Sequence, residues 1–405
     1  MVLKNFNLRP QIQYNHKIIV TVLCIISVTI TIQNISLGLH PTFWGGQCTF
    51  YNNYIIFKNS FFHLVHGNNL YEFYPKEYGD LFKYSPTFAV GMVFFCYLPD
   101  WLGLFIWNTL NILIVYFGLK QLKSIDTKKI TLLLLFILME IILSVQYSQS
   151  NALILGLLIF TFHFFESGKV EKATFLIVLG AFIKLFSIAA IVCVFIYPNK
   201  TRAIISFFIW VILLFFLPML FVSFDNLIWQ YKNWYVMLKA DHHNSNGLSI
   251  YEYTKIIFPK NNFKQLTQLI GAFLFITPLF FYKKFKSEIF RLTYLSFMLI
   301  WMVVFNHKAE TPSYILALTG VGIWGVIVSN KNWQNSALCL LALLFTSIWY
   351  SELMPSFLKD SFITLNYIKP LFPTIILFKL LFELTLKRDN ELLKNFGNNI
   401  NSNSN

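Results

Sequence analysis

The segment LTYLSFMLIWMVVFNHKAETPSYILALTGVGIWGVIV, residues 292–328, sets two apolar runs on either side of a short polar gap, FNHKAETPSY (305–314). Both runs are too uniformly apolar for a solvated surface and too long for single strands. They read as two membrane-embedded helices joined at one face of a bilayer. A solvated turn needs polarity, but it does not need His307, Lys308 and Glu310 together, with charges of both signs in so few residues. The gap is therefore a candidate site as well as a connector.

The same pattern recurs along the chain. Of 405 residues only 12% are charged while 19% are aromatic and 56% hydrophobic, a balance that no soluble domain carries. The fold class expected is all-α: a polytopic transmembrane bundle forming a single integral membrane domain over residues 1–405. The first apolar run, from Ile18, follows Lys4, Arg9 and Lys17 and has no small-residue cleavage site behind it, so it reads as a retained helix with the N-terminus inside. Cys24, Cys96, Cys193 and Cys339 fall in apolar runs and only Cys48 is expected outside, which leaves no intrachain disulfide framework. The formal net charge of +14 is spread in short clusters beside hydrophobic spans. Such clusters orient helices and attract anionic membrane lipids, and nucleic acid is rejected as a partner.

Placing the basic clusters at 120–129, 166–172, 197–202, 283–291, 331–333 and 386–390 in the cytoplasm predicts about twelve helices with both termini inside. Two segments resist simple crossing. Residues 85–100 would put the following basic cluster on the wrong side, so they read as re-entrant or interfacial. The run ATFLIVLGAFIKLFSIAAIVCVFIY (173–197) has basic residues at both ends and reads as two short helices meeting near Lys184, a break tolerated where it lines a cavity. The first extracytoplasmic loop (37–85), the turn YSQSN (147–151), Lys184, the second loop (223–266) and the 305–314 gap then share the outer face, and residues 387–405 form a cytoplasmic tail.

Within the first loop, YIIFKNSFFHLV suggests an amphipathic helix lying on the membrane surface. The loop offers the carboxylates Glu72, Glu77 and Asp80 as bases, with Asn52, Asn53 and Tyr84 as partners for substrate. Gln149 and Asn151 flank Ser150 with hydrogen-bonding amides, although turn chemistry alone accounts for such residues about as often. Lys184 is an ionisable group in an apolar run, where it needs water, an anion or a partner; it is expected to bind phosphate, with snorkelling to the interface as the alternative. In the second loop Asn246 is a further contact, whereas the adjacent His242 and His243 lack an acid at metal-ligand spacing, so no metal site is expected. In the 305–314 gap, Lys308 and His307 suit an anionic leaving group and Glu310 would hold one of them in place; a helix-capping salt bridge is the competing account.

At these residues the chain resembles the integral membrane glycosyltransferases of family 87. The likeness lies in NNLYEFYPKEYGDLFKYSPTFAV (68–90), QYSQSNALILGLLIF (146–160), GAFIKLFSIAAIV (180–192), NSNGLSIYEY (244–253) and FNHKAETPSYILAL (305–318), taken in that order. The resemblance implies a GT-C fold and a polyprenyl-phosphate sugar as donor substrate, with no cofactor. The family places a catalytic Asp early in the first loop, where CTFYNNYIIF (48–57) has Thr49, Asn52 and Asn53 instead. Asp80, Glu77 or Glu72 is then expected to serve as base, Asp80 first.

The function expected is an inverting, metal-independent transfer of a hexose or pentose, mannose-like, to a lipid or glycan acceptor on the extracytoplasmic face of a bacterial inner (plasma) membrane, where it would serve the cell envelope. A transporter or flippase of lipid-linked glycans is the alternative, and a non-catalytic envelope scaffold the third reading. The absence of repeated halves and the gathering of charge at one face argue against a transporter.

Overall fold

Polar side chains near the helix ends show which ends lie together in a computed structural model of the chain, which describes residues 16–42, 45–122, 126–244, 247–258, 263–328, 333–351, 353–355 and 368–386. Helix α1 (His16–Ser36) begins where His16 Nδ1 meets the Tyr116 hydroxyl at 2.6 Å, close to the last turns of Asp100–Lys120. It finishes where Asn34 Nδ2 donates to the carbonyl of Gln146 at 3.0 Å, the last residue of Thr127–Gln146. The outermost turns of these three helices thus define two ends, one near Lys120 and one near Gln146.

About 78% of the structure is helical, and among the described residues the sheet is one antiparallel hairpin, β1 (Leu39–Pro41) with β2 (Gln47–Thr49). Then follow α2 (Asn52–Val65), α3 (Pro86–Gly91), α4 (Val93–Cys96), α5 (Asp100–Lys120), α6 (Thr127–Gln146), α7 (Asn151–Glu166) and α8 (Val170–Ile183). A 3-10 segment, Leu185–Val192, runs into α9 (Cys193–Ile196). Beyond it come α10 (Lys200–Phe216), α11 (Phe224–Asn244), α12 (Ile250–Ile257), α13 (Lys264–Ile276), α14 (Glu288–Val304), α15 (Tyr314–Ile323), α16 (Trp333–Ala342) and a last helix, Leu371–Thr385.

Among the described residues five helices are long and apolar enough to cross a bilayer: His16–Ser36, Asp100–Lys120, Thr127–Gln146, Lys200–Leu220 and Lys264–Lys286. Asn151–Glu166, Leu185–Ile196 and Thr311–Val326 are apolar but shorter. A helix rises about 1.5 Å per residue, so these shorter elements fall below the length of a full hydrocarbon span unless flanking residues extend them.

Within the run 173–197 the helix stops at Ile183, Lys184 takes extended backbone angles (φ −133°, ψ 113°), and a second helical piece leads away. The break falls on the one cation in the run. Both flanking pieces return toward the end that holds Glu166, since Tyr197 Oη donates to Glu166 Oε1 at 2.5 Å. Residues 85–100 form only α3 and α4, six and four residues long, too short to traverse.

Helix α2 turns one side into protein: Tyr54, Ile56, Phe57, Phe61 and Leu64 are buried. Phe57 packs edge-on against Tyr84, Phe88 and Trp107 at 4.8, 5.2 and 5.5 Å, so the aromatic side of the first loop is part of the core. Aromatic edges are electropositive and faces electronegative, which favours this packing. Beyond the 305–314 gap, α14 and α15 pack against each other at Gly320, where a Cβ would come 2.6 Å from the carbonyl oxygen of Ser296. Only glycine permits that approach, and small residues play this part generally where helices meet in membranes.

Candidate active site

The turn after α6 makes the site. Ser148 adopts a left-handed conformation (φ 51°), which reverses the chain tightly so that Gln149, Ser150 and Asn151 all turn into protein. A serine at positive φ is uncommon and is held by its surroundings. Gln149 Oε1 accepts from Asn151 Nδ2 at 2.8 Å and from Lys184 Nζ at 3.1 Å. Lys184 Nζ also donates to Asn151 Oδ1 at 2.8 Å. The other end of the Gln149 amide, Nε2, donates to Glu310 Oε2 at 2.7 Å.

One side-chain network therefore joins 149, 151, 184 and 310, drawn from three places in the sequence. The extended backbone of Lys184 between its two helical pieces accompanies an ammonium that meets the turn, where Gln149 and Asn151 accept from it. Tyr84 closes one side: its hydroxyl is hydrogen-bonded to Ser150 Oγ at 3.1 Å and its ring lies 6.0 Å from Lys184 Nζ. Buried polar groups are kept only where they are paired, and a network of this kind fixes the direction of each member.

Glu310 takes a different part from the one expected. Helix α14 ends at Val304, so His307 and Glu310 do not share a helical face. Glu310 sits before Pro312 and its backbone N–H donates to Ser313 Oγ at 3.3 Å, while its carboxylate receives Gln149. It orients an amide and its charge acts on Lys184 and Lys308.

Lys308 is ion-paired with Asp241 of α11, with side chains 27% and 22% exposed. Burial, together with the repelling Lys83, lowers the Lys308 ammonium to about 8, against the pull of Glu310 and Asp80. His307 stands edge-on to Tyr251, ring centroids 6.3 Å apart. The second loop is stitched to this gap by backbone bonds, Gly247 N–H to the carbonyl of His307 and Leu248 N–H to that of Ala309, both at 2.7 Å. Gly247 is required there, because a Cβ would come 2.4 Å from the Ala309 nitrogen. Asn246 lies outside the described residues.

The first-loop acids are placed unequally. Asp80 is exposed, accepts from Leu81 N–H at 2.7 Å and from Lys83 Nζ at 3.1 Å, and its charge reaches Lys308. Glu77 is held by His63 Nε2 and Asn59 Nδ2, both at 3.0 Å, on the far side of α2 from Phe57 and Tyr84. Glu72 accepts from Asn69 Nδ2 at 3.2 Å. The two asparagines hold the loop in place: Asn52 Oδ1 accepts from Gly79 N–H at 2.9 Å, and Asn53 Nδ2 donates to the carbonyl of Tyr147 at 2.8 Å. The network thus contains Tyr84, Gln149, Asn151, Lys184 and Glu310, with Lys308 and Asp80 in its electrostatic reach. Glu72, Glu77, Asn52 and Asn53 are engaged elsewhere.

Asp241 is the residue that sequence reasoning passed over. It stands in LKADHHNSNG, where the paired histidines drew the eye, and no spacing connects it with Lys308. A further unforeseen pair, Lys58 with Asp100 at 2.6 Å, ties α2 to the start of α5. Among the described residues no three His, Cys, Asp or Glu side chains converge as a metal-holding group.

Fold and site together define a helical membrane protein in which the turn after α6 gathers buried amides around a lysine. Residues 82–256 match the model of Glycosyltransferase family 87. The matched segment includes Tyr84, Gln149, Asn151, Lys184 and Asp241, while Lys308 and Glu310 join from beyond it. No curated protein matches the chain.

Proposed function

We propose that this glycosyltransferase moves a hexose or pentose, mannose-like, from a polyprenyl-phosphate donor to a lipid or glycan acceptor at the extracytoplasmic face of a bacterial inner membrane. The observation that carries the reading is Lys184, a cation at a helix break, fixed by Gln149 and Asn151 and backed by Glu310. A phosphodiester entering sideways from the bilayer meets there a desolvated cation in a preorganised setting, where electrostatic stabilisation counts for more than in water.

The acceptor hydroxyl oxygen attacks the anomeric carbon from the face opposite the phosphate, with inversion. The bond from that carbon to the phosphate oxygen breaks, and polyprenyl phosphate leaves with one further negative charge. Lys184 and Lys308, or His307, receive that charge; a carboxylate takes the hydroxyl proton. All three acids have partners, Asp80 in Lys83 and the others in His63, Asn59 and Asn69, and Asp80 is favoured as this base because its charge reaches Lys308. A donor with a single phosphate has its leaving group neutralised by lysines, so the reaction proposed is metal-independent.

The test is purified protein in detergent micelles with a polyprenyl-phosphate mannose and extracted envelope glycolipids, followed by mass spectrometry. Loss of donor with appearance of polyprenyl phosphate is the expected result. Transport is impossible in micelles, so an untouched donor would favour the flippase reading.

A further inference from the structure

The ion pair between Lys308 and Asp241 has no part in the reaction just described, yet it occupies one of that reaction's two phosphate-binding lysines. The two residues belong to different segments, α11 and the 305–314 gap. Both side chains are largely withdrawn from solvent, and the bonds from Gly247 and Leu248 to His307 and Ala309 hold the segments together within a few residues of the pair. Tyr314 adds a further tie, its hydroxyl donating to the carbonyl of Leu248 at 2.7 Å. Lys308 also sits among Lys83, Glu310 and Asp80, so the site alternates cations with anions.

Lys184 differs in a telling respect. Its partners are neutral amides, with Glu310 one residue removed, so it is set for an incoming anion with no carboxylate to evict. Lys308 has a carboxylate directly upon it. From this contrast we infer that Asp241 is a positioning residue that stands in for the donor phosphate: it holds the Lys308 ammonium at the site when no donor is bound and yields it when a phosphate arrives. The inference rests on the donor reading given above.

The physical ground is that an uncompensated, largely buried lysine is costly, so an internal anion keeps the loop ordered while the site is empty. An incoming phosphate presents more acceptor oxygens and more charge than one carboxylate and replaces it without leaving the ammonium bare. A neutral lipid gives the ammonium no substitute for the carboxylate. The pair thereby makes admission depend on an anionic headgroup, in addition to any contact with the sugar.

The experiment measures binding of a short isoprenyl monophosphate, with the matching isoprenol as control, to the full-length protein in detergent. Asp241→Asn removes the internal competitor and should bind the monophosphate roughly tenfold more tightly, the size of one modest charge interaction. Isoprenol binding should not change, and Lys308→Gln should bind the monophosphate more weakly than the wild type. In the double variant Asp241→Asn with Lys308→Gln the gain should vanish. An Asp241→Asn variant that binds the monophosphate as the wild type does, or more weakly, overturns the exchange. The donor reading falls separately, if neither the wild type nor Lys184→Ala distinguishes monophosphate from isoprenol.

A second measurement needs no substitution at all. Adding monophosphate to the wild type should quicken amide exchange at residues 236–241 while slowing it at 306–310, because α11 loses its anchor as the gap gains a ligand. Slowing in both segments would mean that the ion pair stays closed on the ligand, and would overturn the exchange as well.

Discussion

Lys184 concentrates the residue-scale argument. A lone cation in an apolar run has three outlets, and the hydrogen bonds to Gln149 and Asn151 select the built site over the other two. Lys184→Ala should lose donor affinity at least roughly tenfold, while Lys184→Arg keeps part of it because the charge survives without the same point geometry. Donor titration at matched folded protein decides. For Asp80, turnover by Asp80→Asn should fall about a hundredfold or more, the usual scale for a general base, with Glu77→Gln and Glu72→Gln close to the wild type. Near-normal turnover by Asp80→Asn would remove it from that part. The sign of the pH dependence comes from Lys308, whose ammonium is lowered to about 8. Below that pH the group is charged and holds phosphate; as pH rises through it the proton leaves and donor affinity should decline. An arginine at 308 stays charged over the whole range, so Lys308→Arg should flatten the profile. Folded stability moves the other way, since between about 8 and the ordinary lysine value the unfolded chain binds more protons and added base favours folding.

Elements were more legible than contacts. The break at Lys184 could be read because basic residues at both ends of 173–197 forbid a single crossing, and charge placement is a local property of the sequence. The short helices of 85–100 were legible for the same reason. For helix α2 the amphipathic period says that one side is buried but not against what, because its partners Tyr84, Phe88 and Trp107 come from later segments. Of the site, the cations and amides announced themselves as polar residues in apolar surroundings. Asp241 did not, since an acid among loop residues is unremarkable until the fold brings Lys308 to it. The sorting of turns to one end has a direct check. In sealed cells, Tyr147→Cys, at a side chain 51% exposed, should react with an impermeant thiol reagent, and Lys169→Cys, at the opposite end of α7, should not. Labelling at both, or only at 169, would place the site on the wrong side of the membrane.

On the scale of the whole molecule, the first loop and the segment after α10 contribute to one site because α11 lies across the first loop. Gln230 receives Leu70 N–H at 3.2 Å and gives to the carbonyl of Asn68 at 2.6 Å, and Trp234 Nε1 gives to the carbonyl of Lys83 at 3.3 Å. Glu140 of α6 and Lys369 form a fully buried pair at 3.4 Å, with Lys369 Nζ also donating to the carbonyl of Thr346 at 2.8 Å. The same ammonium faces the rings of Tyr350 and Tyr314 at 4.4 and 4.9 Å. Removing one partner of such a pair typically costs about 3–5 kcal/mol, whereas replacing both with apolar residues is often neutral. Lys369→Met should therefore lower the unfolding temperature in detergent markedly, and adding Glu140→Leu should restore most of the loss. A double variant no better than the single one would show that the two charges do not depend on each other. This pair also bears on how the protein is made. Glu140 enters the membrane early in synthesis, and the lysine that neutralises it is added 229 residues later, just ahead of the last helix. Until then the bundle holds an acid in hydrocarbon without its counterion, so assembly of this part waits for residue 369. A ribosome that stops short of residue 369 leaves the cell a chain marked for removal by quality control.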